Sequence, residues 1–184
     1  MTTILALSGS LRKASFNTGL ARAAEAVAPT GVTVEARTLH GVPLYDGDLE
    51  AAQGAPAAVK ALKDALAAAD GLLLVTPEYN NSIPGVFKNA IDWMSRPPGG
   101  TDLFKGKPVA VIGASPGGFG TILAQEGWLP VLRTLGTRPW FEGRLMVSRA
   151  GSLFAPDGTL TDAETRDRLA AFVAGFAEFV AGQG

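Results

Sequence analysis

The chain has 184 residues, 47% of them apolar and 18% charged, and its 16 Lys and Arg against 17 Asp and Glu leave a net charge of −1. That is a globular composition at the length of one domain, residues 1–184, with no basic field to neutralise a run of phosphates, so nucleic acid is excluded as a partner. The absence of cysteine removes disulfides, thiolate catalysis and sulfur-bound metals; the one histidine, His40, removes nearly all remaining metal and triad chemistry, so no metal is expected and any hard chemistry falls to a cofactor.

Met1-Thr2-Thr3 carries no positive charge, and the apolar run after it is too short for a signal core, which predicts a cytoplasmic protein; no stretch is long enough to suggest a membrane span. Short apolar runs then alternate with amphipathic stretches, the pattern of strand–helix units that build a parallel sheet. Ile4 to Leu7 is the first strand, and a helix follows from about Asn17 with Leu20, Ala23, Ala24 and Val27 on one face. Val32 to Ala36 is the second strand, and a loop leads to a helix that opens with Pro56 in its first turn and carries Val59, Leu62 and Leu66. Gly71 to Val75 is a buried central strand. Pro84 opens the next helix, with Phe87, Ala90, Ile91 and Met94 at helical spacing, and Arg96 to Gly100 stops it. Val109 to Gly113 is the fourth strand, Gly120 to Leu135 the fourth helix, and Arg138 to Phe141 with Leu145 to Val147 a broken fifth strand. Asp157-Gly158 makes a turn, Thr161 to Glu164 reads as a capping box, and Leu169, Phe172, Val173, Phe176 and Val180 form the stripe of a closing helix.

Five such units fit an open doubly wound sheet, whose ligands bind outside the carboxyl ends of the strands where strand order reverses. The loops after strands one, three and four therefore matter most. The first, Ser8 to Asn17, combines hydroxyls, two cations and a helix start, a set suited to phosphate; the plainer reading is that Ser15 and Asn17 cap the helix. The second, Thr76 to Pro84, is stiffened by prolines, offers the flat face of Tyr79, and holds Asn80 and Asn81, which tolerate unusual backbone angles; the plainer reading is a rigid turn. The third, Gly113-Ala114-Ser115-Pro116-Gly117, matches the G-x-S-x-G pattern of hydrolases but fails as one. Pro116 has no N–H for an oxyanion hole, and His40 lies upstream of the serine. Its glycines instead permit close approach to something flat.

The segments Gly9-Ser10-Leu11-Arg12-Lys13-Ala14-Ser15-Phe16-Asn17, Pro77 to Gly85 (PEYNNSIPG) and Lys88-Asn89-Ala90-Ile91-Asp92-Trp93 resemble the NADPH-dependent FMN reductase family, which includes bacterial quinone, chromate and azo reductases. The likeness runs to the final helix and is weakest at Arg138 to Arg144. It implies a flavodoxin-like three-layer α/β sandwich with a five-stranded parallel sheet of order 2-1-3-4-5, noncovalent FMN, NADPH or NADH as co-substrate, and a homodimer or homotetramer with flavin sites near the subunit interface. By position it puts Ser10, Arg12, Ser15, Phe16 and Asn17 around the FMN phosphate. It puts Pro77, Glu78, Tyr79 and Asn80 along the isoalloxazine, and Ser115, Gly117 and Gly118 on its pyrimidine side.

The implied activity is an NAD(P)H oxidoreductase that passes two electrons through FMN to quinones, free flavin or similar small acceptors, with chromate and azo compounds in the same range. No side chain is required as a catalytic acid or base. A flavodoxin-type single-electron carrier is the alternative, but such carriers depend on a docking field of one sign, which a net charge of −1 does not provide. A phosphoacceptor receiver is excluded by the lack of an acidic pair after strand one. Val86 and Trp93, off the buried stripe of their helix, predict an apolar second face and so a homodimer; the alternative has Trp93 packed under the Phe104 loop of the same chain.

Overall fold

The computed structural model describes residues 1–182. β1 (Thr2–Ser8), β2 (Val32–Thr38), β3 (Gly71–Val75), β4 (Pro108–Ala114) and β5 (Arg138–Pro139) form a parallel sheet in the order β2-β1-β3-β4-β5, and β6 (Met146–Val147) pairs with the far end of β4. The central strands alternate between two cores: Ile4, Ala6, Leu73 and Val75 face one side, and Leu5, Leu7, Leu72 and Leu74 the other. A sheet buried on both faces needs apolar side chains at both parities, which is why these strands read as continuous hydrophobic runs. α1 (Phe16–Ala26) and α6 (Ala163–Ala181) cover the first face; α3 (Ala57–Ala68), α4 (Gly85–Met94) and α5 (Ile122–Thr134) cover the second. The α6 stripe from Leu169 to Val180 is buried as expected, each large residue contributing about 1.5–3 kcal/mol by leaving water.

Several boundaries move. β2 runs on to Thr38, Val27 is the C-cap of α1 rather than a residue of its face, and Pro56 and Pro84 each stand one position before the helix they open. The fourth helix loses its expected first residues because Gly120 has φ +63°, outside helical space. The closing helix is capped by Asp162, which accepts from Thr165 N–H, whereas the Thr161 hydroxyl donates to the Leu153 carbonyl. α2 (Gly47–Gln53) was not expected at all. It buries no residue and is defined by its cap, Asp46, and two first-turn acids.

The fifth strand is shorter than expected. Pro139 offers no ladder donor, and past Trp140, whose N–H donates to Val109, the chain leaves the sheet. The Trp140 ring sits edge-on to Phe172 at 5.0 Å and against Gly143, where a Cβ would overlap it. The stop after α4 is held by Lys63, whose buried ammonium donates to the carbonyls of Arg96 and Pro98; burial pulls its pKa below the usual lysine value.

Trp93 does not face outward. It is fully buried, its indole N–H donates to the Pro43 carbonyl at 3.0 Å, and its ring meets Tyr45 at 4.9 Å. The cover is the Pro43–Tyr45 segment and not the Phe104 loop. Asn89 pins that segment by donating to Pro43 O and accepting from Tyr45 N–H, so α4 has no unpartnered apolar face at Trp93.

Candidate functional site

The parallel register brings the carboxyl ends of β1, β3 and β4 to one edge: Ser8 lies opposite Val75, and Val75 opposite Ile112, two residues before β4 ends at Ala114. The three loops that follow therefore meet on one edge, at the β1/β3 boundary where strand order reverses.

In the first loop Ser15 is the N-cap of α1, its hydroxyl accepting from the N–H groups of Asn17 (3.2 Å) and Thr18 (3.3 Å). Ser10 Oγ accepts from Arg12 N–H at 3.2 Å, folding the loop back on itself. The Arg12 guanidinium lies over the Phe16 ring, 4.9 Å from its centroid, and among the described residues it forms no ion pair. A cation is thus stationed beside the positive end of a helix with no anion of the protein to meet it. His40 braces the loop from outside: Nε2 donates to the Leu11 carbonyl at 3.1 Å, which leaves Nδ1 to accept from the Thr38 hydroxyl at 2.9 Å. Spacing alone did not mark this residue, because the contact spans 29 positions.

Asn17 is buried, and its side chain closes a two-way clasp with β4, donating to the Ala114 carbonyl and accepting from Ala114 N–H, both at 2.8 Å. Its amide is therefore committed to joining the first loop to the third. It reaches an anion only through the position of its backbone.

The second loop is a tight hairpin turn. Tyr79 and Ser82 exchange both backbone hydrogen bonds at 3.1 Å, and the two residues between them, Asn80 and Asn81, have φ +49° and +61°. Two left-handed central residues define a type I′ turn, which asparagine tolerates better than other side chains do. Tyr79 is half exposed, and the Glu78 carboxylate reaches the first turn of α5. In the third loop Ser115 Oγ accepts from Gly117 N–H, and the backbone of Arg149 and Ala150 donates to Gly117 O and Ser115 O.

The three loops enclose a cleft of about 270 Å³. Its walls are Ser10, Arg12, Ser15, Phe16, Asn17, Pro77, Glu78, Tyr79 and Ser115, joined by Ala114 and Pro116 of the third loop, to which the resemblance assigns no role. Asn80, Gly117 and Gly118 do not line it: Asn80 is the outer corner of the hairpin turn, and a Cβ at Gly118 would meet only open space. A larger groove of about 490 Å³ lies between α5 and the β5–β6 segment and contains none of the residues assigned from the sequence to FMN, though five of its residues belong to the Arg138 to Arg144 segment. No cluster of His, Asp and Glu among the described residues could hold a metal, and no helix is long and apolar enough to cross a membrane.

An anion-ready helix start facing an aromatic wall across the switch point of a parallel sheet defines a flavodoxin-like nucleotide-binding protein. The chain belongs to the NADPH-dependent FMN reductase family, whose model matches residues 2–152. It is 43% identical over 166 residues to an NAD(P)H-dependent FMN reductase of Pseudomonas aeruginosa, covering 90% of this chain and 88% of that one. It is 39% identical over 172 residues to a 2-hydroxy-1,4-benzoquinone reductase of a Burkholderia species, with 94% and 92% covered. Among solved structures it resembles FerB, a flavoenzyme NAD(P)H:acceptor oxidoreductase of Paracoccus denitrificans, with a TM-score of 0.84, 39% identity and all of both chains covered. An archaeal flavodoxin at 12% identity and a TM-score of 0.60 shares the fold alone.

The donor set fits FMN. Two serine hydroxyls, a free guanidinium and a helix N-terminus suit its phosphate, and Tyr79 with a stiffened turn suits a flat ring.

Proposed function

We propose that the chain, as one domain over residues 1–184, is an FMN-dependent NAD(P)H oxidoreductase of the cytoplasm that passes two electrons to quinones, free flavin or similar small acceptors. The observation that carries this is the gathering of residues from three distant loops, with phosphate chemistry on one side and a flat wall on the other, into the one cleft at the switch point. Ser10, Arg12, Ser15 and Phe16 would hold the phosphate, with Asn17 setting the distance to the third loop. Pro77, Glu78 and Tyr79 would flank the ring and Ser115 its pyrimidine side, with Asn80, Gly117 and Gly118 shaping the loops just outside the cleft walls. FMN, when bound, supplies a centre that accepts hydride from a reduced nicotinamide and returns it to an acceptor. The protein's own part is to bind, orient and stabilise added negative charge, which Arg12 beside the phosphate and backbone N–H groups near the ring would do electrostatically.

The test is a titration of the purified protein with FMN. One equivalent is expected to bind at micromolar protein, followed by ping-pong kinetics with NADPH or NADH and a quinone, because donor and acceptor use the same open face in turn. Absence of binding overturns the reading.

The same reading includes a homodimer or homotetramer, supported by a surface other than the one expected from the sequence. Ile122, Leu129 and the largely exposed Phe141 line the 490 Å³ groove, and Leu123 and Leu129 line an adjoining hollow with Asn81 and Ser82 of the hairpin turn. Phe119, 84% exposed, precedes α5. A patch of this kind beside a ligand loop marks an association surface. Light scattering is expected to give a dimer or tetramer for the wild type and a smaller species for Leu129→Asp with Phe141→Asp. A wild type of single-chain mass at micromolar concentration refutes the assembly.

A further inference from the structure

Glu78 belongs to the turn assigned above to the flavin ring, yet its carboxylate is bound elsewhere. Oε2 accepts from the N–H groups of Leu123 at 2.9 Å and Ala124 at 3.0 Å, in the first turn of α5 and 45 and 46 residues further along the chain. Those amides have no acceptor within their own helix. The residue placed to supply one, Thr121, makes no side-chain cap bond, and its hydroxyl instead accepts from Gln125 Nε2 at 3.1 Å. α5 therefore takes its cap from the loop after β3, and a carboxylate is well suited to the positive end of a helix.

From this we infer that Glu78 is a positioning residue of the flavin site: it holds the Pro77–Ser82 turn in place through the amides of α5 and does not act by touching the ring. The inference rests on the FMN reading above. The mechanical argument is local. The turn carries two left-handed asparagines, a conformation that this residue type tolerates, and Tyr79 is too exposed for its own packing to hold the turn in place. The hairpin bonds between Tyr79 and Ser82 shape the turn but do not locate it. Location comes from the packed ends of the loop, buried Thr76 and Pro77 after β3 and half-buried Ile83 with buried Pro84 before α4, and, for the segment between them, from the Glu78 clamp on α5. Without the clamp the Tyr79 wall keeps its shape and loses its distance from the first loop.

The experiment compares wild type, Glu78→Ala and Glu78→Gln on the full chain. It uses amide hydrogen exchange of the flavin-free protein and titrations with both FMN and riboflavin, which has the same ring and no phosphate. In wild type the Leu123 and Ala124 amides are expected to exchange slowly, since both are hydrogen-bonded to Glu78. In Glu78→Ala both are expected to exchange at least about tenfold faster, and FMN and riboflavin to weaken by one common factor of about ten, because the ring wall and not the phosphate nest is displaced. Glu78→Gln keeps an acceptor oxygen and is expected to recover most of the protection and most of the affinity for both ligands. Unchanged exchange at the two amides in Glu78→Ala overturns the clamp. Wild-type affinity for both ligands in that variant overturns its role at the site. Restored protection without restored affinity in Glu78→Gln overturns the indirect action, since it would mean that the charge meets the ring. A wild type that binds no flavin overturns the FMN reading itself, a result distinct from all three.

Discussion

Replacing Asn17 with alanine is expected to lower the unfolding free energy by about 2–4 kcal/mol, read as a fall in melting temperature of roughly 4–16 °C for a chain of this size. The side chain is buried and makes two 2.8 Å bonds to one residue, Ala114, which is itself 2% exposed. Each bond contributes about 1 kcal/mol net, but truncation leaves a buried N–H and a buried carbonyl without partners, and that penalty exceeds the loss of the bonds. Asn17→Asp should also destabilise. Its carboxylate can still accept from Ala114 N–H, but its second oxygen then opposes the Ala114 carbonyl where a donor stood. Both variants should loosen FMN as well, since the clasp sets the spacing between the first and third loops. Thermal denaturation of Asn17→Ala at the wild-type temperature would show that the clasp contributes nothing.

That clasp illustrates which parts of the molecule were legible in the sequence. β1, β3 and β4 were, because a strand buried on both faces leaves an uninterrupted apolar run, and α4 and α6 were, because their buried stripes repeat at helical spacing. α2 was not, since a helix with no buried residue has no stripe, and only its Asp46 cap and the acids after it betray it. The fifth strand was over-extended because Trp140 and Phe141 look like strand residues, whereas the decision to leave the sheet is made by Pro139 and by the cavity that Phe172 and Gly143 offer the indole.

The site divides in the same way. The residue types that suit a phosphate and a flat ring are local and were readable, and all but Asn80, Gly117 and Gly118 line the cleft. What those residues bond to was not readable. Asn17 finds its partner 97 positions away and Glu78 finds its own 45 away, both because the carboxyl ends of three strands share one edge of the sheet. The spacing of Trp93 put it outside the stripe of its helix, and only the non-local Pro43–Tyr45 cover shows that outside the stripe is still inside the protein.

Arg12→Ala is expected to weaken FMN by about 1.5–3 kcal/mol, the range for a hydrogen bond to a charged group, which is roughly 10- to 150-fold in dissociation constant. Riboflavin, lacking the phosphate, should bind the variant as it binds wild type. The direction follows from what surrounds the guanidinium: the face of Phe16 at 4.9 Å, the start of α1, and no carboxylate among the described ion pairs. Bringing in a phosphate therefore displaces no existing salt bridge, and the ring beneath already restricts where the cation can go. Arg12 is exposed, so water and salt screen the contact, and the loss should lie toward the lower end of that range and shrink as ionic strength rises. Arg12→Lys should fall between the two, because an ammonium keeps the charge but gives up the planar fork and the stacking on Phe16. An FMN dissociation constant unchanged in Arg12→Ala would remove the first loop from the phosphate, whereas equal losses for FMN and riboflavin would move Arg12 from the phosphate to the ring.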